Sequence, residues 1–138
     1  MRSGRILALD YGSKNVGLAT CDELGTIALP LPSVPNLNRW DLLRRLKAVI
    51  NELAIESLVV GLPFNMDGSS GDSVRRVERF MGQLRRVTDL PIIGVDERLS
   101  TAEAAEMWLA MSARRQRRYR TVDSFAAALI LERFLGES

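Results

Sequence analysis

The sequence predicts an α/β fold: a mixed sheet of five strands with helices on its faces. Three observations predict it. Apolar stretches at 5–10, 15–21 and 26–30 are separated by only a few turn-forming residues, the spacing of antiparallel neighbours. From residue 40 the apolar period lengthens to that of a helix. Apolar strands at 57–62 and 91–95 then alternate with helical stripes, and strands joined through helices pair in parallel.

In chain order, RILALD (5–10) is an apolar strand ending in a carboxylate, and YGSK breaks the pattern. NVGLATC (15–21) is a second strand weakened by Gly17, DELG (22–25) is a tight turn, and TIALP (26–30) is a third strand. Pro30, Pro32 and Pro35 are expected to end the sheet and mark a loop. Trp40, Leu43, Leu46, Val49, Ile50 and Leu53 form the first helical stripe. SLVVGL (57–62) is a buried strand, PFNMDGSSGD (63–72) a loop, and Val74, Val77, Phe80, Met81 and Leu84 a second stripe. PIIGV (91–95) ends in Asp96-Glu97; Ser100 and Glu103 form a capping box for a third helix, and a last helix covers 123–135. With 138 residues, the expectation is one domain spanning 1–138. No apolar run approaches the ~20 residues of a membrane span, so a soluble, cytoplasmic protein with no membrane partner is expected.

Composition narrows the chemistry. Histidine is absent, which excludes Ser-His-Asp and Cys-His catalysis and histidine-bound zinc. Cys21 is the only cysteine, which excludes an internal disulfide and a thiolate metal cage. Catalytic or metal chemistry must rest on Asp and Glu, and carboxylate oxygens suit hard cations such as magnesium or manganese. The net charge is only +2, but it is uneven. Lys14 and Lys47 are the only lysines, and the remaining basic residues are arginines, the better planar partners for phosphate.

Three carboxylates stand at ends of apolar elements. Asp10 closes the first strand in an Asp-x-Gly, either a metal position or a simple turn. Asp96 and Glu97 close the last strand; adjacent strand residues face opposite ways, so one can enter a site while the other pairs, for example with Arg98. Asp123 opens the last helix, either as an N-cap or, with the small Ala126 and Ala127 letting the helix press on the sheet, as a site residue. Together they match an all-carboxylate site for two divalent ions that activate water against a phosphodiester.

Basic and polar segments surround them. The loop after the fourth strand offers Asn65, Ser69 and Ser70 to a phosphate or a base edge, though without the P-loop order. Arg75 and Arg76 open the following helix. MSARRQRRYR (111–120) carries Arg114, Arg115, Arg117 and Arg118 with no acid, and Tyr119 among them could stack on a base. A bare run of like charge favours a polyanionic partner over a solvated face. Lys14 and Arg98 complete the expected nucleic-acid contacts.

LALDYGSKNVGLA, VVGLPFNMDGSSG, VDERLSTAEA and VDSFAAALIL, in that order, together resemble the YqgF family, also called RuvX. The resemblance spreads across nearly the whole chain. It implies an RNase H-like fold related to RuvC resolvases, with the first strand near the centre of a five-stranded sheet. It also implies Asp10, Glu97 and Asp123 as catalytic and metal-binding acids with Mg2+ or Mn2+, and nucleic acid as partner. Ser13 replaces the family's usual threonine, and Asn15 a frequent basic residue, which alters at most a phosphate contact. Two family activities follow: nuclease maturation of the 5′ end of pre-16S rRNA, the favoured one, and resolution of branched DNA such as Holliday junctions. Sugar kinases and actin-like ATPases share the core fold and the Asp-x-Gly, but close over nucleotide with a second domain not expected here. A non-catalytic RNA- or ribosome-binding module is the third alternative.

Overall fold

The computed structural model describes residues 4–64, 67–97 and 101–136. Among them the elements run β1 (Arg5–Tyr11), β2 (Asn15–Cys21), β3 (Ala28–Pro35), α1 (Arg39–Glu52), β4 (Ile55–Leu62), α2 (Asp72–Leu84), β5 (Ile92–Asp96), α3 (Thr101–Ala110), α4 (Ala113–Tyr119) and α5 (Val122–Gly136). The sheet order is β3-β2-β1-β4-β5. β1 is therefore central, antiparallel to β2 and parallel to β4, and β5 adds in parallel beyond β4. The mixed α/β sheet predicted from the sequence is the sheet observed.

Side-chain alternation divides the core into two layers. Leu7, Leu9, Val16, Leu18, Leu58 and Val60 face α1 and α2, where Leu42, Leu46, Phe80 and Leu84 are fully buried. Ile6, Ala8, Ala19, Cys21, Val59 and Val95 face α5 through Ala127, Ala128, Ile130, Leu131 and Phe134. Alanines on both sides of the second layer let α5 lie close to the sheet.

Four details depart from the expectations. The prolines do not end the sheet: Pro30, Pro32 and Pro35 lie within β3. β3 is an edge strand, where a missing N–H costs nothing if it faces outward. A one-residue bulge between the Val16–Val34 and Leu18–Leu31 pairs shifts the alternation, so prolines of both parities turn their nitrogens to the open edge. The strand also starts later than residue 26, because Asp22 Oδ1 accepts from the Thr26 and Ile27 amides at 2.6 and 3.1 Å and extends the turn. On α1, Leu42, Leu43, Leu46 and Ile50 are buried, whereas Trp40 is 80% exposed. Arg39 takes the inward place at the helix start, with its guanidinium over the rings of Tyr11 and Phe80. Finally, part of the arginine run is itself a helix, α4, capped by the Ser112 side chain. The Ser100–Glu103 capping box lies outside the described residues and side chains.

Gly17 is where α5 meets β2. A Cβ there would lie 1.9 Å from the Asp123 carbonyl oxygen and 3.1 Å from the Ser124 nitrogen, both backbone atoms that cannot rotate away. Gly17→Ala should therefore push the first turn of α5 off the sheet. The expected loss is about 1–3 kcal/mol, the usual cost of overpacking, read as a lower urea midpoint at unchanged m-value.

Candidate active site

The site is assembled at the carboxyl-terminal ends of the parallel strands β1, β4 and β5, beside the amino-terminal half of antiparallel β2. Asp10 follows Ile6 and Ala8 on the α5 face of β1. Its partner across β2 is Gly17. Because Gly17 carries no side chain, the first turn of α5 rests directly on it and brings Asp123 beside Asp10. On the other side of β1, Leu9 pairs with Val60, so the next β4 residue toward Asp10 is Gly61. Beyond Gly61 stands Glu97. Its N–H donates to the Leu62 carbonyl at 2.9 Å and carries the β4–β5 ladder one residue past the strand. A Cβ on Gly61 would sit 3.6 Å from the Glu97 Cβ. Gly17 thus clears the space that the Asp123 turn uses, whereas a Cβ on Gly61 would first meet the Ile130 side chain, 2.6 Å away, so that Gly61 seats α5 beside Glu97.

Alternation decides between the adjacent acids of β5. Glu97 is two residues from Val95 and shares its α5 face; Asp96 belongs to the opposite face. Asp123 is not the cap of α5. The Thr121 hydroxyl accepts from the Ser124 N–H at 3.1 Å and performs that task. The buried Ser124 hydroxyl also donates to the Leu31 carbonyl, tying the helix start to β3. Asp123 is left free of capping duty and half-buried next to Asp10.

The electrostatics bind the three acids into one site. Burial, then the charge of Asp123, then that of Glu97, raise the Asp10 pKa from 3.8 to about 6. Burial also raises that of Asp123. Among the described residues no three such groups close tightly enough to enclose an ion. The charges of Asp123 and Glu97 are felt at Asp10, in a cluster made only of hard oxygen donors. That donor set, and the negative charge that Asp10 feels, fit divalent magnesium or manganese.

The residues expected to contact nucleic acid lie on several separate segments. Lys14 is exposed on the β1–β2 turn. Arg75 and Arg76 are exposed on α2, Arg75 paired with Asp72 at 2.8 Å. Ser69 donates its hydroxyl to Asp67 Oδ1 at 2.6 Å within the loop. Arg114, Arg115, Arg117 and Arg118 are exposed on α4, which packs between β3 and α5 on the Asp123 side. Tyr119 is used otherwise: its ring packs edge-on against Phe125, with centroids 5.0 Å apart, rather than standing open to a base. Asn65 and Arg98 lie outside the described residues. Sequence reasoning missed Gly17 as the seat of the Asp123 turn and Gly61 as the seat of Ile130. The available signal was a glycine inside an otherwise apolar strand, which marks close approach as often as weakness.

A raised carboxyl destabilises the fold only where it must ionise. The Asp10 cost is absent below about pH 4 and grows as pH rises through about 6. In EDTA, Asp10→Asn should be as stable as the parent at pH 4 and more stable at pH 7, by up to about 3 kcal/mol. Urea unfolding of both proteins across that range measures the opening gap; a constant difference would contradict the strained carboxyl.

Known proteins resemble this chain in sequence and in fold. The family described as RuvX, Holliday junction resolvase, matches residues 4–137. A candidate pre-16S rRNA nuclease of Geobacillus kaustophilus is 41% identical over 133 residues, covering 95% of this chain and 96% of the relative. One of Gloeobacter violaceus is 42% identical over 135 residues, covering 98% and 85%. Among solved structures, Thermus thermophilus RuvC superposes with a TM-score of 0.60 at 13% identity, covering 96% and 95% of the two chains. The fowlpox virus Holliday junction resolvase gives 0.56 at 12%, covering 97% and 99%. At such low identity these two likenesses carry the fold alone, the RNase H-like fold. The sequence matches carry the family: the chain belongs to the RuvX family.

Proposed function

We propose that this chain is a nuclease that hydrolyses phosphodiester bonds at Asp10, Glu97 and Asp123, and that its substrate is the 5′ end of precursor 16S rRNA. The observation that carries the reading is the shared site of the three acids, with Asp10 held between the other two and pushed up to about 6. When bound there, magnesium or manganese, two ions in this reading, supplies Lewis-acid activation of water and neutralises charge at the leaving oxygen. The protein's own part is positioning. Asp10 is fixed by the central strand, Glu97 by its ladder bond to Leu62, and Asp123 by the Gly17 contact and the Ser124 anchor. Exposed arginines on α4 and α2 lie on separate segments and suit a long backbone passing over the sheet end. A nuclease of this kind would meet its RNA in the cytoplasm; among the described residues no helix is long and apolar enough to cross a membrane.

RNA is preferred because the relatives at about 40% identity are named for it. Branched DNA is the second reading, favoured by the family's description as a Holliday junction resolvase.

Asp10→Asn and Glu97→Gln should each lower hydrolysis by on the order of 10²–10³-fold or more, comparable to removing one preorganised charge-stabilising group. Asp96→Asn, on the other face, should cost much less. Cleavage of a structured precursor-like RNA and a four-way DNA junction, each in magnesium and in manganese, tests substrate and acids together. ATP hydrolysis without cleavage of either nucleic acid would overturn the reading.

Replacing Arg114, Arg115, Arg117 and Arg118 by Gln should weaken binding equally for all sequences. The slope of log affinity against log salt should shrink by about 0.7 per lost contact on single strands, or about 0.9 on duplex. An unchanged slope would make α4 a solvated face.

A further inference from the structure

The opposite face of the β1 end carries a second constellation. Tyr11 follows Asp10 directly and therefore points to the α1/α2 side. Its ring stacks on Phe80 at 4.4 Å, and Arg39 lies over both rings at 5.4 and 5.8 Å. Arg39 Nη2 donates to the Tyr11 hydroxyl at 2.6 Å. Arg76 stands four residues before Phe80 on α2, one turn away along the same flank of the helix. Guanidinium charge from two helices therefore borders these rings.

That charge is unanswered. Arg39 Nη1 is buried and has no hydrogen-bond partner among the described residues. Asp41, the nearest acid in sequence, is already engaged by Arg44 and, at 2.9 Å, by Arg45. Asp72 at the start of α2 is taken by Arg75, leaving Arg76 without a carboxylate among the described residues. A guanidinium held against two rings with a dry, unpaired donor is costly unless an acceptor arrives. The planar fork suits the paired oxygens of a phosphate.

We propose that Arg39, Arg76 and the Tyr11 hydroxyl form a phosphate-binding subsite that grips the nucleic-acid backbone a few nucleotides from the bond held at Asp10. The subsite rests on the nuclease reading for its substrate, but not for its affinity for a phosphate group. Tyr11 and Asp10 are consecutive residues on opposite faces of the central strand. A backbone crossing the sheet end would be held on one face while it reacts on the other.

The test uses Arg39→Gln, Arg39→Lys, Arg76→Gln and Tyr11→Phe in the full chain, with two probes. The first is inorganic phosphate against chloride at equal ionic strength, read as thermal stabilisation. The second is the salt slope for binding of structured RNA and of a DNA junction in calcium, where cleavage is slow. The parent should be stabilised by phosphate; Arg39→Gln and Arg76→Gln should lose that response, and Arg39→Lys should keep part of it. Each Gln variant should lower the salt slope by about 0.7–0.9. Tyr11→Phe keeps the ring stack but removes the acceptor of Arg39 Nη2, so it should weaken phosphate binding with a small fall in melting temperature that added phosphate does not restore. Should Arg39→Gln fold poorly, Arg76→Gln, exposed on α2, decides alone. Phosphate response lost in the variants while the parent cleaves no nucleic acid would keep the subsite and end the nuclease reading. A parent-like phosphate response and slope in all variants would overturn the subsite and make Arg39 a structural clamp on the two rings.

Discussion

Everything at the functional end of the molecule depends on how closely α5 approaches β2. Backbone meets backbone at Gly17, where even a methyl group would sit 1.9 Å from the Asp123 carbonyl. A helix resting on ordinary side chains would stand several ångströms higher and carry its first-turn carboxylate away from Asp10. The rest of that layer serves the same approach. Ala8, Ala19, Ala127 and Ala128 are all fully buried and small. The Ser124 hydroxyl ties the helix start to the edge strand, and Thr121 caps it, so the acid in between is spent on neither task.

The close approach has an electrostatic cost. Three carboxylates share one partly buried corner, and the central one feels burial first and the other two charges next. No arrangement of a small sheet would select this for stability. The fold tolerates it because the cost is confined to the sheet end, while two separate apolar layers hold the remainder. An electrostatic cost of this kind, kept at one place and supported from elsewhere, falls on Asp10 and is the reason its carboxyl is raised to about 6.

Most of the architecture was legible in the sequence, for a physical reason. The buried strands and the α2 stripe are written in hydrophobic period, and period survives without knowledge of tertiary contacts. The acids were legible only as a set: alone, Asp10 also read as a turn and Asp123 as an N-cap, and their joint place at the ends of apolar elements is what pointed to one cluster. What was not legible depended on partners distant in the chain. The prolines of β3 read as a stop, since nothing local shows that this strand would be an edge with a compensating bulge. Trp40 read as core because it is apolar, yet Arg39 holds the inward position by lying on Tyr11 and Phe80. Gly17 read as a flaw in a strand, and only the α5 contact turns it into a requirement. Asp96 and Glu97 were separable by alternation once β5 had a register, with Leu62 opposite Asp96.

The same alternation explains why the end of β1 can serve two faces at once. In a central strand every residue has a covered side, so Asp10 and Tyr11 each meet a helix layer, α5 on one side and α1 with α2 on the other. Neighbouring residues can then differ in character: Asp10 stands with the acids toward α5, and the Tyr11 hydroxyl accepts from Arg39 on the other side. A polyanion needs both, since negative groups alone repel it and positive groups alone hold it without reaction. The order β3-β2-β1-β4-β5 places that pair of opposed charges within one residue of the chain.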